Sequence, residues 1–194
     1  MRVTKTTPLQ LEQARREGGF TLIEVLVSIF VLTVGLVAVL GVFGLAVAST
    51  QTAQQDMIAK QLAQEGMEAL FTARETANIA WNQIDNVGPT GGIFVAGFQP
   101  INLAGPDGII GTADDAGAAA KTLSLAGPDG IVGTADDVVL PLTNYQRSIA
   151  ITPVVVGGVT STDLRTVTIT ISYTTPNRVA AKNYVLTGSI SRYR

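Results

Sequence analysis

Residues 17–47 read EGGFTLIEVLVSIFVLTVGLVAVLGVFGLAV. A pair of glycines and a phenylalanine lead into an apolar run that holds one carboxylate, Glu24, and no charge follows from Val25 to Gln55. Phe20–Val47 spans about 42 Å as a helix at ~1.5 Å per residue, longer than the ~20 residues a bilayer requires. An ionised carboxylate in such a segment costs on the order of 2.5–3.5 kcal/mol on insertion scales, so a chain that keeps one there has a use for it. The flank before it carries Arg2, Lys5, Arg15 and Arg16 against Glu12 and Glu17. By the positive-inside tendency this flank stays cytoplasmic and the carboxy-terminal part is exported, a single-pass topology.

The run Gly18-Gly19-Phe20-Thr21-Leu22-Ile23-Glu24, behind its basic flank, resembles the type III signal of prepilins, the precursors of type IV pilins and type II secretion pseudopilins. The resemblance implies a cytoplasmic leader 1–19, cut by prepilin peptidase between Gly19 and Phe20, and N-methylation of the new terminus at Phe20. It also implies that Glu24 pairs with a positive terminal amine during filament assembly. Elementary electrostatics agrees with that role. In water a terminal amine and a glutamate carboxylate are ordinarily both charged at neutral pH, and in low dielectric each needs a partner. Phe20 and Glu24 lie one helical turn apart, so pairing within the chain and pairing with a neighbour are both open. The amino end of the helix dipole favours an anion there. A rival processing site exists: Ala46-Val47-Ala48 before Ser49 fits an ordinary signal peptidase, although the apolar run is longer than the ~7–15 residues of an ordinary signal core.

No proline occurs between Pro8 and Pro89, which permits one very long helix. Its transmembrane half is 20–47, where Gly35, Gly41 and Gly44 allow either local loosening in a filament or close packing of a straight helix. Its exported half is expected over 48–85, where Ile58, Leu62, Gly66, Ala69, Leu70, Ala73, Ala77, Trp81 and Ile84 recur at helical spacing as a core stripe. From 143 to 194 the period becomes two. A strand is predicted over Tyr145–Thr152, ending at Pro153, with Gly157-Gly158 in the following loop. Val167, Ile169, Ile171 and Tyr173 form a second strand, Thr174-Thr175-Pro176-Asn177 a turn, and Tyr184, Leu186 and Ile190 a hairpin partner. The expected fold class is α+β: a long amino-terminal membrane-spanning helix packed on a carboxy-terminal antiparallel sheet, the type IV pilin-like architecture. The Y-T-T-P-N run and the basic end Arg192–Arg194 look similar to minor pilins of the pilus-modification type.

Between helix and sheet, 86–142 reads as a Gly/Asp-rich loop region that contains a duplication. Leu103–Asp115 is LAGPDGIIGTADD and Leu125–Asp137 is LAGPDGIVGTADD, differing only at Ile110 versus Val132. Calcium takes six to eight hard oxygens, and the two copies together offer Asp107, Asp114, Asp115, Asp129, Asp136 and Asp137 as candidate ligands. The spacing matches neither an EF-hand nor the nonapeptide calcium repeat. The competing reading is a pair of solvated turns capped by their own aspartates.

Composition narrows the function. The chain has no cysteine, so no disulfide closes its carboxy-terminal region as in many major pilins, and no histidine, so nucleophile–histidine catalysis and histidine-ligated zinc are excluded. Without the leader, nine basic residues face thirteen acidic ones, a balance of −4 that offers no basic footprint for direct nucleic-acid contact. The expectation is a non-enzymatic structural subunit, a minor pilin of a type IV pilus or related filament. Its partners would be other pilin subunits, prepilin peptidase and inner-membrane lipid. The alternatives are a type II secretion pseudopilin and a calcium-dependent adhesive or DNA-uptake subunit.

Overall fold

The computed structural model describes residues 19–175 and 180–193. The leader up to Gly18, Pro176 and Asn177 of the expected turn, and Arg194 lie outside the described residues. One helix, α1, runs from Leu22 to Glu75, 54 residues or about 81 Å at ~1.5 Å each. The chain divides into two compact units at Leu45/Ala46.

In the first unit α1 exposes its large apolar side chains all round, from Leu22 and Ile23 to Phe43 and Leu45. Its most apolar window has a mean hydropathy of 2.9, and α1 is the one described helix long and apolar enough to cross a membrane. Such a surface is stable in lipid, where backbone groups must be satisfied within the segment. The two hydroxyls obey that requirement: Ser28 Oγ donates to Glu24 O at 2.7 Å and Thr33 Oγ1 to Phe30 O at 2.8 Å. The helix is continuous through Gly35, Gly41 and Gly44.

The second unit is helix on sheet. Strand β1 is Gln99–Pro100, β2 Thr122–Leu125, β3 Val138–Pro141, β4 Tyr145–Val156, β5 Val159–Tyr173 and β6 Lys182–Ser191. The main antiparallel sheet has the order β1-β4-β5-β6, and β2 and β3 form a separate hairpin. The α1 stripe Ala59, Leu62, Ala63, Gly66, Met67, Leu70 and Ala73 is buried together with the inward residues Ile149, Ile151, Val167, Ile169, Ile171 and Ile190. Small residues on the stripe let the two layers approach closely. A Cβ added at Gly66 would lie 3.1 Å from Ile169 Cδ1. Tyr145 and Tyr173 face each other in register and stack at 5.5 Å and 18°.

The structure corrects three sequence expectations. First, the helix ends at Glu75 rather than at 85, so Ala77, Trp81 and Ile84 are not part of a helical stripe. Ala77 takes a left-handed φ of 59°, and the Asn78 N–H bonds to Ala73 O at 3.0 Å while the Ala77 N–H bonds to Arg74 O at 3.2 Å, a Schellman-type stop. Arg165 then holds the segment that follows. Its guanidinium donates to Trp81 O and Ile84 O, lies 3.7 Å from Asp85 Oδ2, and sits 4.7 Å from the centre of the half-buried Trp81 ring. Second, β4 passes Pro153 and reaches Val156, because the register shifts between Pro153 and Val155 at a bulge, where a missing N–H is tolerated. Gly157 and Gly158, at φ of 58° and 83°, turn β4 directly into β5. Third, 86–142 is not purely loop: it supplies β1, the β2–β3 hairpin, and the buried Phe94, Ile101, Ile109 and Leu142. Asn86 ties it down. Its side chain donates to Ile149 O at 2.7 Å and accepts from Ile151 N at 2.8 Å, taking the place of a strand on the open edge of β4.

Candidate functional site

At the amino end, Gly19 and Phe20 are exposed, Phe20 by 83%, and neither is part of α1. An exposed, non-helical bond between them is the geometry a peptidase requires. Thr21 caps the helix: its Oγ1 accepts the Glu24 N–H at 3.3 Å and its carbonyl accepts the same group at 3.0 Å. Glu24 therefore sits in the first helical turn, where the dipole favours its charge. Among the described residues its carboxylate accepts no hydrogen bond, and T-L-I-E is in sequence a capping box whose reciprocal arm is not formed. The side chain is available to a partner.

The two copies of the repeat fold into the same loop. In the first, Asp107 Oδ1 accepts Ile109 N–H at 2.8 Å, Asp114 Oδ2 accepts Asp107 N–H at 3.1 Å, and Asp115 Oδ2 accepts Gly111 N–H at 2.5 Å. In the second, Asp129 Oδ1 accepts Ile131 N–H at 2.8 Å, Asp136 Oδ2 accepts Asp129 N–H at 3.2 Å, and Asp137 Oδ2 accepts Gly133 N–H at 2.7 Å. The hydroxyls of Thr112 and Thr134 reach Asp114 Oδ1 and Asp136 Oδ1 at 2.5 and 2.6 Å. These hydroxyl bonds first, and the backbone N–H groups of Asp107 and Asp129 next, hold Asp114 and Asp136 below the ordinary carboxylate range. The glycine that opens each copy makes room for the carboxylate that closes it: a Cβ at Gly105 would lie 2.4 Å from Asp114 Oδ2, and at Gly127 2.5 Å from Asp136 Oδ2.

All six aspartates thus serve as backbone acceptors in two self-closed loops. Among the described residues no group of three or more acidic side chains is arranged to hold a metal ion, so the six are not gathered into one cluster.

What differs is burial. The first copy is docked: Ile109, Thr112 and Asp115 are buried, and a Cβ at Gly111 would strike Ile149 Cδ1 at 2.5 Å. The second copy forms the tip of the β2–β3 hairpin, with Ile131 and Val132 61% and 63% exposed. Docking also completes a bond. Asp115 Oδ1 accepts Gly105 N–H at 2.8 Å, whereas its counterpart Asp137 Oδ1 finds no partner among the described residues.

Two residues escaped the sequence reading. Thr21 was visible as the first letter of T-x-x-E. Arg147 is a charge at an inward position of Y-Q-R-S-I-A-I, and it is buried.

The model of the prokaryotic N-terminal methylation motif matches residues 14–48 of this chain. The match covers Gly19, Phe20, Glu24 and the apolar segment, and it supports a type IV pilin-like prepilin. No curated protein matches the chain, and no solved structure does. The long helix followed by an antiparallel sheet is the α+β arrangement of the pilin fold, and the apolar half of α1 is consistent with a single-pass membrane anchor.

Proposed function

We propose that the chain is a structural subunit, a minor pilin, of a type IV pilus or related filament, processed between Gly19 and Phe20 and assembled through α1. The observation that carries this reading is a methylation motif placed over an exposed Gly19–Phe20 junction and an apolar helix segment with Glu24 in its first turn. Glu24 pairs with the terminal amine of Phe20 on a neighbouring subunit. The protein does no chemistry of its own; a chain without histidine or cysteine suits that role. It resides in the inner membrane before assembly and at the cell surface afterwards, with other pilins as partners.

The test is intact mass and amino-terminal sequencing of the protein matured in its native membrane, followed by filament incorporation of Glu24→Ala. N-methyl-phenylalanine at residue 20 and loss of incorporation support the proposal. Ser49 as first residue, or normal incorporation of Glu24→Ala, overturns it. A type II secretion pseudopilin shares the signal and helix, and recovery from sheared surface pili separates the two. Calcium binding by Asp107, Asp114, Asp115, Asp129, Asp136 and Asp137 remains a separate proposal. A calcium-dependent rise in Tm, reversed by chelator, would support it.

A further inference from the structure

Arg147 lies on β4 between the inward-facing Tyr145 and Ile149 and is only 5% exposed. Its stem is wedged beside α1, where a Cβ on Gly66 would come within 3.4 Å of its Cδ. Among the described residues its guanidinium makes no hydrogen bond and no ion pair. The carboxylates that act on it from a distance are Glu65 on α1 and Asp115 on the docked loop, and both are engaged elsewhere. Glu65 pairs with Lys121, and Asp115 accepts the Gly105 and Gly111 N–H groups at 2.8 and 2.5 Å. Burial lowers the Arg147 pKa, and these two carboxylates oppose that shift. A nearly buried arginine whose five donors find no protein acceptor among the described residues, and which opens only onto a cavity, is poised for a ligand.

The guanidinium borders a cavity of about 310 Å³, lined also by Val95, Gln99, Asn102, Thr112, Asp115 and Ile149. That volume lies at the lower end of small-ligand sites, and the lining mixes apolar walls with a few convergent polar groups. We propose that this cavity is a binding site for a small organic monocarboxylate, held by the Arg147 fork with its apolar end toward Val95 and Ile149. A planar carboxylate matches the guanidinium bidentately. The single charge matters because Asp115 lines the same space and Glu65 also acts on Arg147, so a phosphate dianion meets repulsion that a monocarboxylate largely avoids.

The experiment uses the full chain in detergent micelles, melted in sodium propionate, sodium phosphate or sodium chloride at matched ionic strength. The expected result is a propionate-specific rise in Tm of about 5–10 °C once the anion exceeds its Kd about a hundredfold. Arg147→Gln abolishes the rise. Ala116→Trp, at an exposed residue on the cavity wall, also abolishes it without touching the guanidinium, so the test survives if the Arg147 variant does not fold. No difference between propionate and chloride, a larger shift with phosphate, or a shift that persists in Ala116→Trp overturns the proposal.

Discussion

Gly111→Ala and Gly133→Ala are the same substitution at the same position of two nearly identical loops, and they should differ sharply in cost. Both glycines have positive φ, +93° and +99°, so each alanine bears a backbone strain of roughly 1–2 kcal/mol. Both N–H groups bond to the closing aspartate of their own loop. Only the surroundings differ. At Gly133 an added Cβ meets nothing within 4 Å, whereas at Gly111 it lies 2.5 Å from Ile149 Cδ1. Overpacking of that kind adds roughly 1–3 kcal/mol, so Gly111→Ala should cost about 2–5 kcal/mol against about 1–2 kcal/mol for Gly133→Ala. Urea unfolding of the full chain in detergent, followed by circular dichroism, measures both. Ile149→Val supplies the decisive control, because it deletes the Cδ1 that the new methyl strikes. Alone it costs about 0.5–1.5 kcal/mol, yet combined with Gly111→Ala the total should fall well below the sum. Equal costs at the two glycines, or strict additivity of Gly111→Ala with Ile149→Val, would refute the docking of the first loop against β4.

Ala77→Gly should stabilise the chain by about 1 kcal/mol, since Ala77 occupies a left-handed helix stop at φ 59° that glycine adopts without strain; a fall in urea midpoint would contradict this. Asn86→Ala leaves Ile149 O and Ile151 N–H on the β4 edge without their side-chain partner and should cost roughly 2–3 kcal/mol, with faster hydrogen exchange confined to that edge. Burial first, and the Asp56 carboxylate second, push Tyr145 up to about 12, and burial with the Asp56 hydrogen bond raises Tyr173 as well. A raised folded pKa means the Tyr145 contribution is intact below pH ~10 and lost as pH rises toward 12, roughly 2–3 kcal/mol in all. Tyr145→Phe, which removes a buried hydroxyl without a partner among the described residues, should flatten the alkaline limb of the stability curve. At the acid end Asp56, lowered mainly by Lys182 and then by Tyr173, contributes above pH ~4 and loses that contribution as pH falls further.

The parts of the fold that were legible in the sequence are those governed by local periodicity. The apolar run is found exposed all round, while the stripe through Leu62, Gly66 and Leu70 and the alternation Val167-Ile169-Ile171-Tyr173 each announce one face and are found buried on it. The helix stop was illegible because it uses alanine where glycine is usual, and because the arginine that organises the next segment, Arg165, lies 81 residues away from Ile84 in the chain. Asn86 was illegible for the same reason: its role depends on Ile149 and Ile151, 63 and 65 residues on. Proline at 153 suggested a strand end, and only the tertiary register shows that it falls at a bulge. At the amino end the methylation motif was legible because it is a short local pattern, whereas Arg147 required knowing which way β4 faces.

The duplicated loop shows why sequence identity does not fix environment. Twelve of thirteen positions agree between the copies, and all but one of the aspartate hydrogen bonds within the first copy recur in the second. The aspartates therefore specify the loop's shape, a local property, and carry the same message twice. Docking is decided by what flanks each copy. The first runs into the 3-10 helix Ala113–Gly117, and its Ile109 is buried in the core with Phe94 and Ile149; the second is held between β2 and β3, which pair with each other and carry it as their tip. One consequence is the bond from Gly105 N–H to Asp115 Oδ1, present in the docked copy and missing at Asp137. A loop that closes its own backbone hydrogen bonds needs no core to hold its shape, which is why the same thirteen residues can serve once as a wall of the core and once as an exposed tip.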